Sequence, residues 1–227
     1  IGGEADGMHS WESFMELGGD VSDDDFQRRR RELDFDDVIN IQYTSGTTGM
    51  PKGASLTHFN ILNNGYHVGE TMKFSHRDRL CIPVPFYHCF GMVLSNLACV
   101  THGATMVVPG EYFEAGASLA AVEKERCTAL HGVPTMFIAE LALPEFGDYD
   151  LGTLRTGIMA GAPCPVEIMK RVNDEMNMKE VTIAYGQTET SPVITQTPHD
   201  GSLEMRTTTV GPPIPHTEVK IVSPETG

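Results

Sequence analysis

At 227 residues, 40% hydrophobic and 21% charged, the chain can bury a core of ordinary globular composition in one or two domains. Its 16 Lys and Arg against 31 Asp and Glu leave a formal charge of −15, which argues against nucleic acid or an anionic membrane as a broad partner. Five scattered cysteines with no C-x-x-C pair, and nine histidines with no metal-ligand spacing, speak against a disulfide framework or a zinc site.

A reducing compartment, cytoplasm or mitochondrial matrix, fits that cysteine usage. No apolar run reaches the roughly 18 to 20 residues that span a bilayer, so no transmembrane segment is expected. The first residues do not read as a signal peptide. A chain beginning at Ile1 and stopping at Gly227 just past a strand-like run is expected to be a piece of a longer protein, with any targeting region out of view.

In chain order, residues 1–35 read as a peripheral helical segment. Ser22 is a suitable N-cap, three aspartates follow in the first turn, and Arg28 to Arg31 lie one turn on, which predicts a solvated helix rather than a basic targeting tract. Val38 to Tyr43 then predicts a strand, and Thr57 to about Met72 a helix capped by Thr57. Strand-like Leu80 to Val84 precedes a helix over Met92 to Val100 and a short strand over Thr105 to Val108. The alternation continues: helix Ser118 to Arg126, strand Thr128 to His131, helix Pro134 to Leu141, strand Thr156 to Met159. Val166, Met169, Val172 and Met176 share one helical face, and Val181 to Tyr185 is a further buried strand. The fold class is therefore α/β, a layered, largely parallel sheet flanked by helices, over residues 36–190. Residues 191–227, with strand-like Val193 to Thr195 and Glu218 to Val222, are expected to start a truncated β-rich subdomain.

Ligands of open α/β sheets bind beyond the carboxyl ends of the strands. Four predicted loops lie there. The first, Thr44-Ser45-Gly46-Thr47-Thr48-Gly49-Met50-Pro51-Lys52-Gly53, combines three glycines, four hydroxyls and a lysine, the chemistry of a phosphate cradle. Its spacing differs from the G-x-x-x-x-G-K-[ST] loop. The others are Pro85 to Gly91, which carries His88; Gly161-Ala162-Pro163; and Tyr185-Gly186-Gln187-Thr188-Glu189-Thr190.

The string S-G-T-T-G-x-P-K-G resembles the phosphate-binding loop of the adenylate-forming enzymes, which include acyl-CoA synthetases, luciferases and peptide-synthetase adenylation domains. Y-G-x-T-E over Tyr185 to Glu189 resembles their second signature. The resemblance implies that Thr44, Ser45, Gly46, Thr47, Thr48, Gly49 and Lys52 hold phosphates. Tyr185 would lie against adenine beside Gly186 and Gln187, Thr188 would bond a phosphate oxygen, and Glu189 would help hold Mg²⁺. Lys52, Thr188 and Glu189 are then the catalytic set. Gly161-Ala162-Pro163 resembles the turn flanking adenine, and His88, Val133 and Gly161 match walls of the acyl pocket. Val210 to Pro213 also matches a segment of this family. P-F-Y-H-C-F-G-M-V is most similar to fatty acyl-CoA synthetases, with no aspartate between Phe86 and Val93 to pair with an amino acid's amino group. The implied activity joins a fatty or other carboxylic acid to CoA at the expense of ATP. Another adenylating enzyme, or a nucleotide-binding fragment without catalysis, are the alternatives. The family's ribose-binding aspartate, hinge and carboxy-terminal domain with its lysine find no match, so the chain alone is expected to be inactive.

Overall fold

The computed structural model describes residues 6–45 and 49–226. They form two compact units, divided between Asp37 and Val38.

The first unit holds helices α1 (Trp11–Leu17) and α2 (Asp23–Glu32), neither with a buried residue. Ser22 caps α2 by accepting a hydrogen bond from Asp25 N at 3.1 Å, and Arg28 bridges Asp25 at 2.9 Å and Glu32 at 3.4 Å. The arginine tract is thus a solvated helix with intrahelical ion pairs.

The second unit opens with a hairpin, β1 (Val38–Thr44) antiparallel to β2 (Lys52–Thr57), with Thr44 and Lys52 facing each other at its neck. The sequence pointed to a strand of the parallel sheet followed by an open loop. Among the described residues β1 instead pairs with β2 alone, and Lys52 is the first residue of the returning strand. Gly53 and Ser55 depress the β signal of β2, but Ala54 and Leu56 alternate inward, with Leu56 buried.

Helix α3 (His58–Thr71) follows directly. Thr57 accepts from Asn60 N at 3.2 Å, and Ile61, Asn64, Gly65, Val68 and Gly69 form the buried face. The main sheet comprises β3 (Arg79–Cys81), β4 (Thr105–Val107), β5 (Ala129–Gly132), β6 (Thr156–Ala160), β7 (Glu180–Gly186) and β8 (Val193–Gln196), in the order β4-β3-β5-β6-β7-β8. All neighbours are parallel except β8, which runs back along β7. Alternate side chains feed two cores, as the strand period of two requires. Leu80, Ala129 and Ile158 pack with Val68 of α3, while Cys81, Leu130 and Met159 pack toward α5 (Ala115–Glu125), α6 (Pro134–Leu141) and α7 (Val166–Glu175).

Three elements depart from expectation. Residues Phe90–Leu97 form a π-helical stretch before α4 (Ala98–His102), and Ser95 Oγ donates to Phe90 O five residues back at 3.1 Å. Leu203–Thr208 form helix α8, whose threonines masked it although Ser202 caps it. Glu218 to Val222 form no strand, and Ile221 is 95% exposed. No helix of the described residues is long and apolar enough to cross a membrane.

Candidate functional site

At the carboxyl end of β7 the chain reverses over Gln187 to Pro192 and returns as β8. Gln187 N donates to Pro192 O at 3.0 Å, and Thr190 Oγ1 donates to the same oxygen at 2.6 Å. Gly186 is required at this reversal, because a Cβ there would lie 1.9 Å from Pro192 O. The closed turn presents Thr188 and Glu189 at its tip.

Two further segments meet that tip. Thr44 Oγ1, at the hairpin neck, donates to Glu189 Oε1 at 3.3 Å across a separation of 145 residues. Gln42 Nε2 donates to Tyr87 O. Cys89 Sγ lies 3.6 Å from Thr188 Oγ1, which docks the Pro85 to Gly91 segment on the turn. A cavity of about 390 Å³ results. Thr44, Ser45, His88 and Gly161 line it from three segments, and Tyr185 through Glu189 from the fourth.

His88 Nδ1 accepts from Phe90 N at 3.0 Å, which leaves the ring proton of the neutral imidazole on Nε2. Burial holds its pKa below the ordinary histidine value. The ring is therefore a neutral donor near neutral pH. Burial also raises the Cys89 thiol, so it is not a thiolate nucleophile. Titration of the His88 ring followed by NMR is expected to give a midpoint below the ordinary histidine value of about 6.5. A midpoint at or above that value contradicts the neutral ring.

The other expected residues lie elsewhere. Ala162 and Pro163 line a second cavity, of about 810 Å³, together with Gly161, Tyr185 and the segment Arg206 to Gly211. Val133 stands behind the turn, where a Cβ on Gly161 would meet its Cγ1 at 3.2 Å. Gly49 and Lys52 are exposed and line neither cavity, although Lys52 faces Thr44 across the neck. Gly46, Thr47 and Thr48 lie outside the described residues.

Two residues that the sequence did not single out as site residues, Leu94 and Val193, line the smaller cavity together with Phe90 of the Pro85 to Gly91 loop. Asn64 of α3 exchanges two hydrogen bonds with Val193, Nδ2 to its carbonyl at 2.9 Å and its N–H to Oδ1 at 3.2 Å. A polar residue inside the apolar face of α3 was the available signal.

A family model described as AMP-binding enzyme matches residues 5–227. The Bacillus subtilis protein YngI, provisionally named an acyl-CoA synthetase, is 58% identical over 97% of this chain and 40% of its own length. The mitochondrial medium-chain acyl-CoA ligase ACSF2 of Danio rerio is 44% identical over 94% of this chain and 36% of its own. Among solved structures, ATP-bound MatB of Rhodopseudomonas palustris matches with a TM-score of 0.73 at 32% identity, covering 86% of this chain and 38% of that one. The chain thus spans about 40% or less of the length of these proteins.

Proposed function

The chain belongs to the AMP-binding enzymes, and from that premise we propose that the longer protein carrying it is an ATP-dependent acid–CoA ligase acting on a fatty acid. A single observation carries the reading. The hairpin neck and the β7 turn, 145 residues apart, meet through Thr44 and Glu189 at a cavity that also holds His88. Its lining combines the polar Thr44, His88, Thr188 and Glu189 with the apolar Phe90, Leu94 and Val193, a mixture that suits a carboxylate carried on an uncharged acyl tail. The names of the relatives, acyl-CoA synthetase and ligase, support CoA as the acceptor.

In this reading the acid's carboxylate attacks the α-phosphorus of ATP, the bond to the β-phosphate oxygen breaks, and pyrophosphate leaves. The CoA thiol then attacks the acyl carbon, loses its proton, and expels AMP. A free carboxylate with a pKa of about 4 is already ionised at neutral pH, so the first step needs no base. The work of the chain is to position and to balance charge. Lys52, Thr44 and Ser45 would serve the phosphates, Tyr185 offers its exposed ring to the base, and His88 Nε2 can donate to the carboxylate.

Mg²⁺ fits the donor set. Among the described residues no group of three or more His, Cys, Asp or Glu could hold a metal on its own. Glu189 with the Thr44 and Thr188 hydroxyls supplies the one carboxylate and hard oxygens that Mg²⁺ takes alongside substrate phosphates. When bound there it would neutralise phosphate charge.

The test is pyrophosphate release by the longer protein over a panel of carboxylic acids, with and without CoA. Thioester formation from a fatty acid is expected. Absence of acid-dependent pyrophosphate release refutes the proposal, and an adenylate that never passes to CoA reassigns the protein to another adenylating class. Glu189→Gln, similar in shape but uncharged, should raise the apparent Mg²⁺ requirement roughly tenfold, with part of the rate restored by added metal. Wild-type metal dependence with a shifted pH profile would instead make Glu189 a proton-transfer group.

A further inference from the structure

We propose that Arg206 is a positioning residue that holds the outer wall of the 810 Å³ cavity in place against a bound nucleotide. The proposal rests on the reading above that Tyr185 faces the nucleotide's base, since Tyr185 and the Gly161 to Pro163 turn line this cavity too.

The need for a clasp follows from the sheet. β8 covers only the carboxyl half of β7, from Ala184 to Gly186, and Thr197 then pairs with Ile183 through both its N–H and its hydroxyl at 2.9 Å. Toward the start of β7 the edge carbonyls have no strand partner among the described residues. Arg206 takes that place, with Nη1 donating to Lys179 O at 2.9 Å and to Val181 O at 3.0 Å. A buried edge carbonyl without a partner is costly, and the guanidinium satisfies two at once.

The same residue sits midway along an excursion. After Thr197 the chain leaves the sheet, forms α8, and returns beside β8, where Gln196 N donates to Pro212 O at 3.1 Å and Thr195 Oγ1 to Val210 O at 2.7 Å. The stretch between these anchors, Arg206 to Gly211, is the cavity wall. Leu203 packs on the second core, but among the described residues Arg206 alone ties α8 to β7 by hydrogen bonds.

Its chemistry exceeds what a clasp requires. Arg206 is only 7% exposed, its Nε has no partner, and no carboxylate pairs with it among the described residues. A buried cation balanced only by carbonyl dipoles is a poor choice for stability alone, because its desolvation is not recovered. Its field, however, falls on the cavity it lines beside the hydroxyls of Thr207, Thr208 and Thr209. Such a wall favours an electron-rich, phosphate-bearing ligand.

The experiment is steady-state kinetics of the longer protein with Arg206→Met, Arg206→Lys and Tyr185→Ala. Arg206→Met should raise the KM for ATP about tenfold, the loss of roughly one charge-assisted interaction, with kcat and the KM for the acid within about threefold. Arg206→Lys, which keeps the charge on a shorter side chain, should recover part of that loss. Tyr185→Ala reports on the nucleotide reading itself. If it leaves the KM for ATP unchanged, that reading fails; if it raises it while Arg206→Met does not, the role of Arg206 fails. Equal loss toward both substrates, or no rescue by Lys, also overturns the proposal. Should Arg206→Met not fold, Thr195→Val releases the same wall at Val210 and must raise the KM for ATP selectively. An unchanged value there refutes the inference.

Discussion

Lys52→Ala is expected to slow adenylate formation roughly tenfold to a hundredfold while leaving affinity for the free acid nearly intact, the range for one charge-assisted contact to phosphate. Lys52 is exposed as the first residue of β2, opposite Thr44, and Thr44 is hydrogen-bonded to Glu189. Its ammonium therefore leaves the hairpin at the neck of the glycine- and threonine-rich loop, on the side where the β7 turn meets it. In the proposed reaction a charge there acts on the phosphates rather than on the acid's uncharged tail. Single-turnover pyrophosphate release measures the first effect and equilibrium binding of the acid the second. An unchanged release rate removes Lys52 from the mechanism. Lys52→Arg should retain part of the rate, since the charge persists on a different geometry.

Removing the Glu140 carboxylate should stabilise the protein at neutral and higher pH. Glu140 on α6 is 1% exposed, neither carboxylate oxygen has a partner among the described residues, and burial pushes its pKa up to about 8 from 4.5. The folded state then holds a proton that the unfolded state releases, so this group lowers stability by about 1.4 kcal/mol per pH unit above pH 4.5, until pH 8. By pH 7 the cost is about 3 kcal/mol. His131 acts in the opposite sense. Fully buried between Phe74 and Phe90, its pKa is pushed down to about 3 from 6.5, so it lowers stability as pH falls below 6.5. From pH 4.5 to 6.5 the two slopes cancel, and above 6.5 the Glu140 slope alone remains. Glu140→Gln should therefore abolish the decline between pH 6.5 and 8 and uncover a rise with pH below 6.5. Denaturant midpoints across that range test it, and parallel profiles for wild type and variant exclude it.

The sequence was most legible where one residue type serves one physical need. Thr57 as a cap, the alternation of strands and helices, and the Tyr185 to Glu189 turn were all visible because local chemistry decided them. The hairpin was not. β1 carried its own apolar signal, but β2 is built of small and polar residues and gains its strand form from pairing. The candidate site was legible as four loops, whereas Leu94, Asn64 and Arg206 were not, because they act through neighbours distant in sequence. The hydrogen bond between Thr44 and Glu189 belongs to the same class.

Gly161, Ala184, Tyr185 and Gly186 line both cavities, so a single partition separates them. A ligand that orders the partition from one side has spent conformational entropy on behalf of a ligand on the other, and the second binds to a surface already set. Such coupling is reciprocal: the factor by which a ligand in one cavity tightens a ligand in the other must equal the factor in the reverse direction. In this protein that synergy would be a property of four small or flat residues shared by two spaces, with no relay through the body of the fold.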